Sequence, residues 1–143
     1  MVVIYLHGFR SSPASQKGKI LKSAFEARET FLAPDLNRSP NEVRSVLIDL
    51  VSGISPDTIC LIGSSLGGFY ATWLAEKIGC KAVLLNPATH PWEVVRQHLG
   101  VQTIHGTDRT IEVKPEFEAE MLSMAAKPTN AHRYLVFLST DDE

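Results

Sequence analysis

Between Cys60 and Ala75 the chain reads CLIGSSLGGFYATWLA. An apolar run of strand type stops at Gly63-Ser64-Ser65-Leu66-Gly67, and Leu66, Phe69, Tyr70, Trp73 and Leu74 then follow at helical spacing. A buried strand must therefore pass directly into a buried helix. So sharp a turn forces its central residue into a strained conformation and crowds the positions on either side against neighbouring main chain, so residues 63 and 67 must be small. The pattern G-x-S-x-G is the sequence form of that turn. It lifts the Ser65 hydroxyl clear of the sheet at a helix N-terminus, where free N–H groups and the helix dipole favour negative charge. Ser65 is the expected nucleophile, the N–H of Leu66 an expected oxyanion donor, and Gly63 and Gly67 the elbow residues. Ser64 is out of register and reads as a neighbour that hydrogen-bonds locally. A phosphate-binding loop fits less well, because no Gly-Lys-Ser/Thr follows.

Strand and helix signals alternate along the rest of the chain. Val2–Leu6 reads as a strand buried on both faces, and residues 15–28 carry Ile20, Leu21, Ala24 and Phe25 at helical spacing. A short strand is expected over 30–33. Ser39-Pro40-Asn41-Glu42 then announces a helix with an N-cap serine, a proline in the first turn and a capping-box glutamate. Further strands are expected over 58–62, 81–85 and 133–138, and helices over 91–99 and 115–126, with no assignment between those two helices. This order predicts an α/β fold: a parallel sheet of about five strands with helices on both faces, in a single domain over 1–143. The segment over about 87–131 is expected to form a lid or cap.

The 143 residues are 44% hydrophobic and 21% charged, with a formal net charge of −2, which gives no general electrostatic reason to bind nucleic acid or an anionic membrane. The opening Met-Val-Val-Ile-Tyr-Leu lacks a basic leader and is too short to span a bilayer, so it reads as a first strand. Cys60 and Cys80 read as free thiols without metal-type spacing. The expectation is a cytoplasmic chain with no metal and no cofactor.

Three stretches carry a resemblance: YLHGFRSSPAS (5–15), IGSSLGGFYATWLAEK (62–77) and LLNPATHPWEVVRQHLG (84–100). On these the chain resembles the α/β-hydrolase superfamily and, within it, the small YqiA/YcfP-type esterases. The resemblance implies a minimal esterase fold, a Ser-His-Asp triad, and a small acyl ester or thioester as substrate. It also implies that the N–H after His7-Gly8, that of Phe9, completes the oxyanion hole, with Arg10 ranked behind it. His7 reads as a structural hydrogen-bonding histidine rather than the base. If the second strand lies outside the first, the first and third strands are neighbours whose carboxyl ends flank the switch-point crevice.

In this class the acid follows the nucleophile and the histidine comes last. In YLVFLSTDDE, Asp142 stands where the acid would be, and Asp141 where relatives carry glycine. Asp108, in TIHGTDRTIEV (103–113), is the rival acid and Asp35 a distant third. None of the five histidines, His7, His90, His98, His105 and His132, follows Asp142. The chain is therefore expected to be a C-terminally truncated esterase whose base lies elsewhere, with His90 and His105 as local substitutes. A non-catalytic ligand-binding or interaction module of the same fold is the alternative. In a truncated chain the apolar 133–138 strand would form an exposed sheet edge and recruit a second copy as a homodimer. Phe9, Phe69 and Trp92 are the aromatics expected to touch substrate. The stripes containing Val95, Leu99, Phe117, Met121, Leu122 and Met124 read as cover for the sheet.

Overall fold

The computed structural model describes residues 1–140. In chain order the elements are β1 (Val2–Leu6), α1 (Gln16–Phe25), β2 (Thr30–Leu32), α2 (Pro40–Val51), β3 (Ile59–Ser64), α3 (Leu66–Ile78) and β4 (Lys81–Leu85). There follow α4 (Pro91–Gln97), β5 (Gly100–Thr103), β6 (Thr110–Val113), α5 (Glu116–Leu122) and β7 (Tyr134–Phe137).

Five strands form one sheet in the order β2-β1-β3-β4-β7, and every pairing is parallel. From β1 the chain runs outward to β2, then crosses back to β3 on the other side of β1 and continues outward to β4 and β7. The winding thus reverses between β1 and β3, where Leu6 is in register with Gly63. In such sheets the crevice beyond the carboxyl ends at this reversal is where ligands bind.

The alternation of strand side chains divides the core between two faces. Ile4, Leu6, Leu61 and Leu84 pack with Val43 and Leu47 of α2 and Tyr70 and Leu74 of α3. Val3, Tyr5 and Ile62 pack with Leu21 and Phe25 of α1 on the opposite face. Both faces therefore carry helix, as the alternating signals require.

Local chemistry starts these helices where the sequence says it should. Ser39 Oγ accepts the Glu42 N–H at 3.1 Å and the Glu42 carboxylate accepts the Ser39 N–H at 3.3 Å, a complete capping box ahead of α2. Ser15 caps α1 through the Gly18 N–H at 3.2 Å. Gly79, at φ 78°, ends α3 in the left-handed conformation that glycine adopts without Cβ strain.

Several boundaries differ from expectation. The third strand continues to Ser64, so Gly63 and Ser64 are strand residues and the turn to helix is tighter than the composition suggests. Helices α1, α4 and α5 are each shorter than the expected ranges 15–28, 91–99 and 115–126. The unassigned segment after α4 is an antiparallel hairpin, β5–β6, separate from the main sheet. β7 lies at the sheet edge, with Leu135 and Phe137 more than half exposed.

Candidate active site

The turn after β3 has the geometry its glycines imply. Ser65 sits at φ 56°, ψ −117°, a region that costs a non-glycine residue ~1–3 kcal/mol and persists only where the surroundings impose it. Three backbone hydrogen bonds do so. The Ser65 N–H donates to the Leu85 carbonyl at 3.0 Å, and the Ser65 carbonyl accepts the N–H groups of Gly68 and Ala88, each at 2.9 Å. Close packing does the rest. A Cβ on Gly63 would run into the Gly67 carbonyl, and one on Gly67 into the Leu6 carbonyl. One on Gly68 would lie 2.7 Å from Pro87 Cβ. The first turn of α3 thus rests directly on the main chain of β1 and of the loop after β4.

The loop after β1 meets this elbow. A Cβ on Gly8 would stand 3.3 Å from Ser65 Cβ, so the His7-Gly8-Phe9 backbone passes alongside the serine. Among the described residues no acceptor takes the N–H of Phe9 or of Leu66. Leu66 opens α3, so its N–H has no partner inside the helix. The structure therefore gathers a strained serine and free amides on both flanking segments at the switch-point crevice.

A second layer holds the Phe9 loop. Arg10 adopts φ 59°. Its carbonyl accepts the His105 N–H at 2.8 Å and its Nε donates to the Thr103 carbonyl at 2.8 Å. The β5–β6 hairpin is thus fastened to the loop at two points, and a third fastening pairs Arg109 with Asp35.

His7 is 1% exposed and both ring nitrogens are engaged. Nδ1 pairs with the Gly8 carbonyl at 2.8 Å, and Nε2 accepts the Leu36 N–H at 2.9 Å. This fixes the neutral tautomer protonated on Nδ1. Burial lowers the imidazole pKa, with the Gly8 bond and the Asp35 charge opposing it. The 3.6 Å approach of Asp35 to Nε2 is therefore proximity rather than an ion pair. Burial alone would raise the Asp35 pKa. The Arg109 guanidinium and the N–H groups of Asn37 outweigh it and hold the carboxyl down to about 2. Asp35 is committed to fastening the hairpin.

The remaining candidates lie apart. His90 is exposed, with Nδ1 3.1 Å from Thr89 Oγ1 and its ring against Trp92. It lines neither of the two cavities that reach Ser65. Asp108 is an exposed turn residue between β5 and β6, also outside both. His98 Nδ1 pairs with the Val94 carbonyl at 2.9 Å. His105 lines one cavity together with Ser65. Asp141 and Asp142 lie outside the described residues. Among the described residues no side chain hydrogen-bonds the Ser65 hydroxyl.

Among the described residues, an apolar cavity and a more polar, mixed groove meet at the serine. One, of about 140 Å³, is walled by apolar groups including Phe9, Leu66, Tyr70, Val95, Val113 and Phe117. Phe69 and Trp92 are not in its wall and meet each other edge to face, with ring centroids 6.2 Å apart. The other is a mixed groove of about 550 Å³ in which Ser64, Lys17 and His105 stand beside Phe9 and Ile20. Sequence reasoning passed over Lys17, whose only cue is its place two residues after the Ser15 cap. Among the described residues no three His, Cys, Asp or Glu side chains stand together as a metal site. Among the described residues no helix is long and apolar enough to cross a membrane.

Comparison with known proteins agrees with this architecture. The chain is 26% identical over 149 residues to the UPF0227 protein YcfP of Escherichia coli (strain K12 / DH10B), covering 99% of this chain and 76% of that protein. The YcfP protein of Shigella boydii serotype 18 matches to the same extent. Among solved structures, the alpha/beta hydrolase domain-containing protein 10 from mouse superposes with a TM-score of 0.59 at 14% identity. That match covers 87% of this chain and 62% of the mouse chain, and shows a shared α/β-hydrolase fold. The profile of the uncharacterised protein family UPF0227 matches residues 2–143, and the chain belongs to that family.

Proposed function

We propose that this protein is a serine hydrolase acting on short-chain acyl esters or thioesters. The observation that carries the reading is the strained Ser65, held beside two N–H groups, those of Phe9 and Leu66, that have no acceptor among the described residues. Ser65 Oγ bonds to the acyl carbon while its proton passes to a general base. The former carbonyl oxygen takes the negative charge and lies against the Phe9 and Leu66 amides, an arrangement worth about 10²–10³ in rate per donor. The bond to the alcohol or thiol then breaks, the leaving group takes up the proton, and water releases the acid by the same steps. The triad acid is assigned to Asp142. The base is assigned to a histidine that the described contacts do not bring to Ser65; His105, in the groove beside it, is the local substitute. Cys60 and Cys80 are both free, which supports a reducing, cytoplasmic setting.

The apolar cavity sets the acyl size. A volume of about 140 Å³ suits a benzene-sized group, or an acyl chain of about four to six carbons. With aryl esters of two to twelve carbons, kcat/KM is expected to peak at butanoyl or hexanoyl and to fall about tenfold or more by dodecanoyl. A flat profile, or a preference for the longest chain, contradicts this assignment of the cavity.

A second reading has one observation in its favour: the Ser65 hydroxyl has no side-chain partner among the described residues. A nucleophile without a positioned base is weak near neutral pH, and the same site would then bind acyl compounds without turning them over. Saturable binding of a non-hydrolysable amide analogue, with no hydrolysis at any chain length, identifies that case.

A further inference from the structure

The groove beside Ser65 is larger than the acyl cavity and mixed in character. Tyr5, Ser11, Ser15, Lys17 and Ser64 line it together with Phe9 and Ile20, and Ser65 stands at its boundary with the apolar cavity. Among the described residues no carboxylate lines it and Lys17 has no ion-pair partner. Lys17 Nζ donates instead to Ser64 Oγ at 3.1 Å. Ser64 is 6% exposed and immediately precedes the nucleophile, so the ammonium is held one residue from the reacting centre.

The backbone fixes this placement. Gly18, next to Lys17, is buried. A Cβ there would run into the Pro13 carbonyl and approach Tyr5 Cε2 to 3.3 Å. The first turn of α1 therefore presses against the loop that carries Ser11, and Lys17 is presented from a rigid base. An ammonium has three N–H donors. Ser64 takes one, and the others remain for a group lying in the groove. Arg10 and Arg38 line the other cavity rather than this groove, and Arg10 is tied through its Nε to the Thr103 carbonyl.

We propose that Lys17 forms an anion subsite for the leaving-group half of the substrate, so that the preferred esters or thioesters carry a carboxylate or phosphate on the alcohol or thiol side. The proposal rests on the reading of Ser65 as nucleophile, because that reading puts the acyl half in the apolar cavity and leaves the groove for the other half. A lysine that only satisfied buried Ser64 would affect folding and would not discriminate by ligand charge.

The test is equilibrium binding, which needs no turnover. Calorimetric titration compares three amide analogues sharing a butanoyl group: 4-(butanoylamino)benzoate, 4-(butanoylamino)phenyl phosphate, and the neutral methyl 4-(butanoylamino)benzoate. At low salt the two anions are expected to bind about fivefold or more tighter than the neutral compound. Raising the salt should shrink that advantage. Lys17→Met should abolish it with the neutral affinity unchanged, Lys17→Glu should reverse it, and Lys17→Arg should keep it. Tighter binding of the phosphate or of the carboxylate identifies which anion the subsite favours. Equal affinities in the parent protein, an advantage that survives Lys17→Met, or no binding of either anion overturns the proposal. Loss of ester hydrolysis with the charge preference intact would remove the catalytic reading and leave the subsite standing.

Discussion

Replacing Gly67 with alanine is expected to lower the thermal midpoint by about 10 °C, from a cost of about 3 kcal/mol at about 2–4 °C per kcal/mol for a chain of this size. The reason is main chain against main chain. The added Cβ would fall on the Leu6 carbonyl, with the His7 carbonyl 2.7 Å away, and neither atom can rotate aside as a side chain would. Relief would require α3 to lift from the end of β1. That helix also carries Tyr70 and Leu74, both 1% exposed or less, so lifting it opens the core. Gly53→Ala is the control: its Cβ would meet nothing within 4 Å, and only the φ of 77° is unfavourable, at a cost of about 1 kcal/mol. Circular dichroism melts of the two variants measure the difference. A Gly67→Ala midpoint no lower than that of Gly53→Ala contradicts the packing described.

The second large effect separates function from stability at one residue. Ser65→Gly is expected to reduce ester hydrolysis by about 10³-fold or more, since the nucleophile is gone. The same change is expected to raise stability by about 1 kcal/mol, because glycine occupies φ 56° without the Cβ strain that serine bears. Ser65→Ala should match the loss of activity without the gain in stability, because alanine keeps the Cβ. A stability gain paired with lost activity marks strain held for function. Undiminished hydrolysis in Ser65→Gly, or equal melting of the glycine and alanine variants, contradicts the assignment.

Much of the scaffold was legible because its signals are local. The β-branched run at Val2–Leu6 and the Ser39-Pro40-Asn41-Glu42 cap each carry their structure within a few residues, and the observed elements begin where those signals fall. The elbow was legible for a related reason: a strand and a helix with so few residues between them admit few backbone paths. The β5–β6 hairpin was not. Its strands are four residues each: Thr110-Ile111-Glu112-Val113 alternates over too short a stretch to stand out, and β5 shows no such pattern, with Val101 more than two-thirds exposed. Its contacts to Arg10 and Asp35 span 93 and 74 residues and leave no mark in sequence spacing. Lys17 stayed hidden in the same way, since its partner Ser64 is 47 residues away. The engagement of His7 by the Leu36 N–H likewise joins residues 29 apart, although its structural role follows from a histidine set at the end of a buried strand.

The most direct test of Ser65 as nucleophile is covalent labelling of the folded protein with a fluorophosphonate, followed by peptide mapping. The account predicts one adduct, on Ser65, lost in Ser65→Ala and retained in Ser64→Ala. A folded protein that stays unlabelled at saturating probe, or an adduct on Ser64, contradicts it.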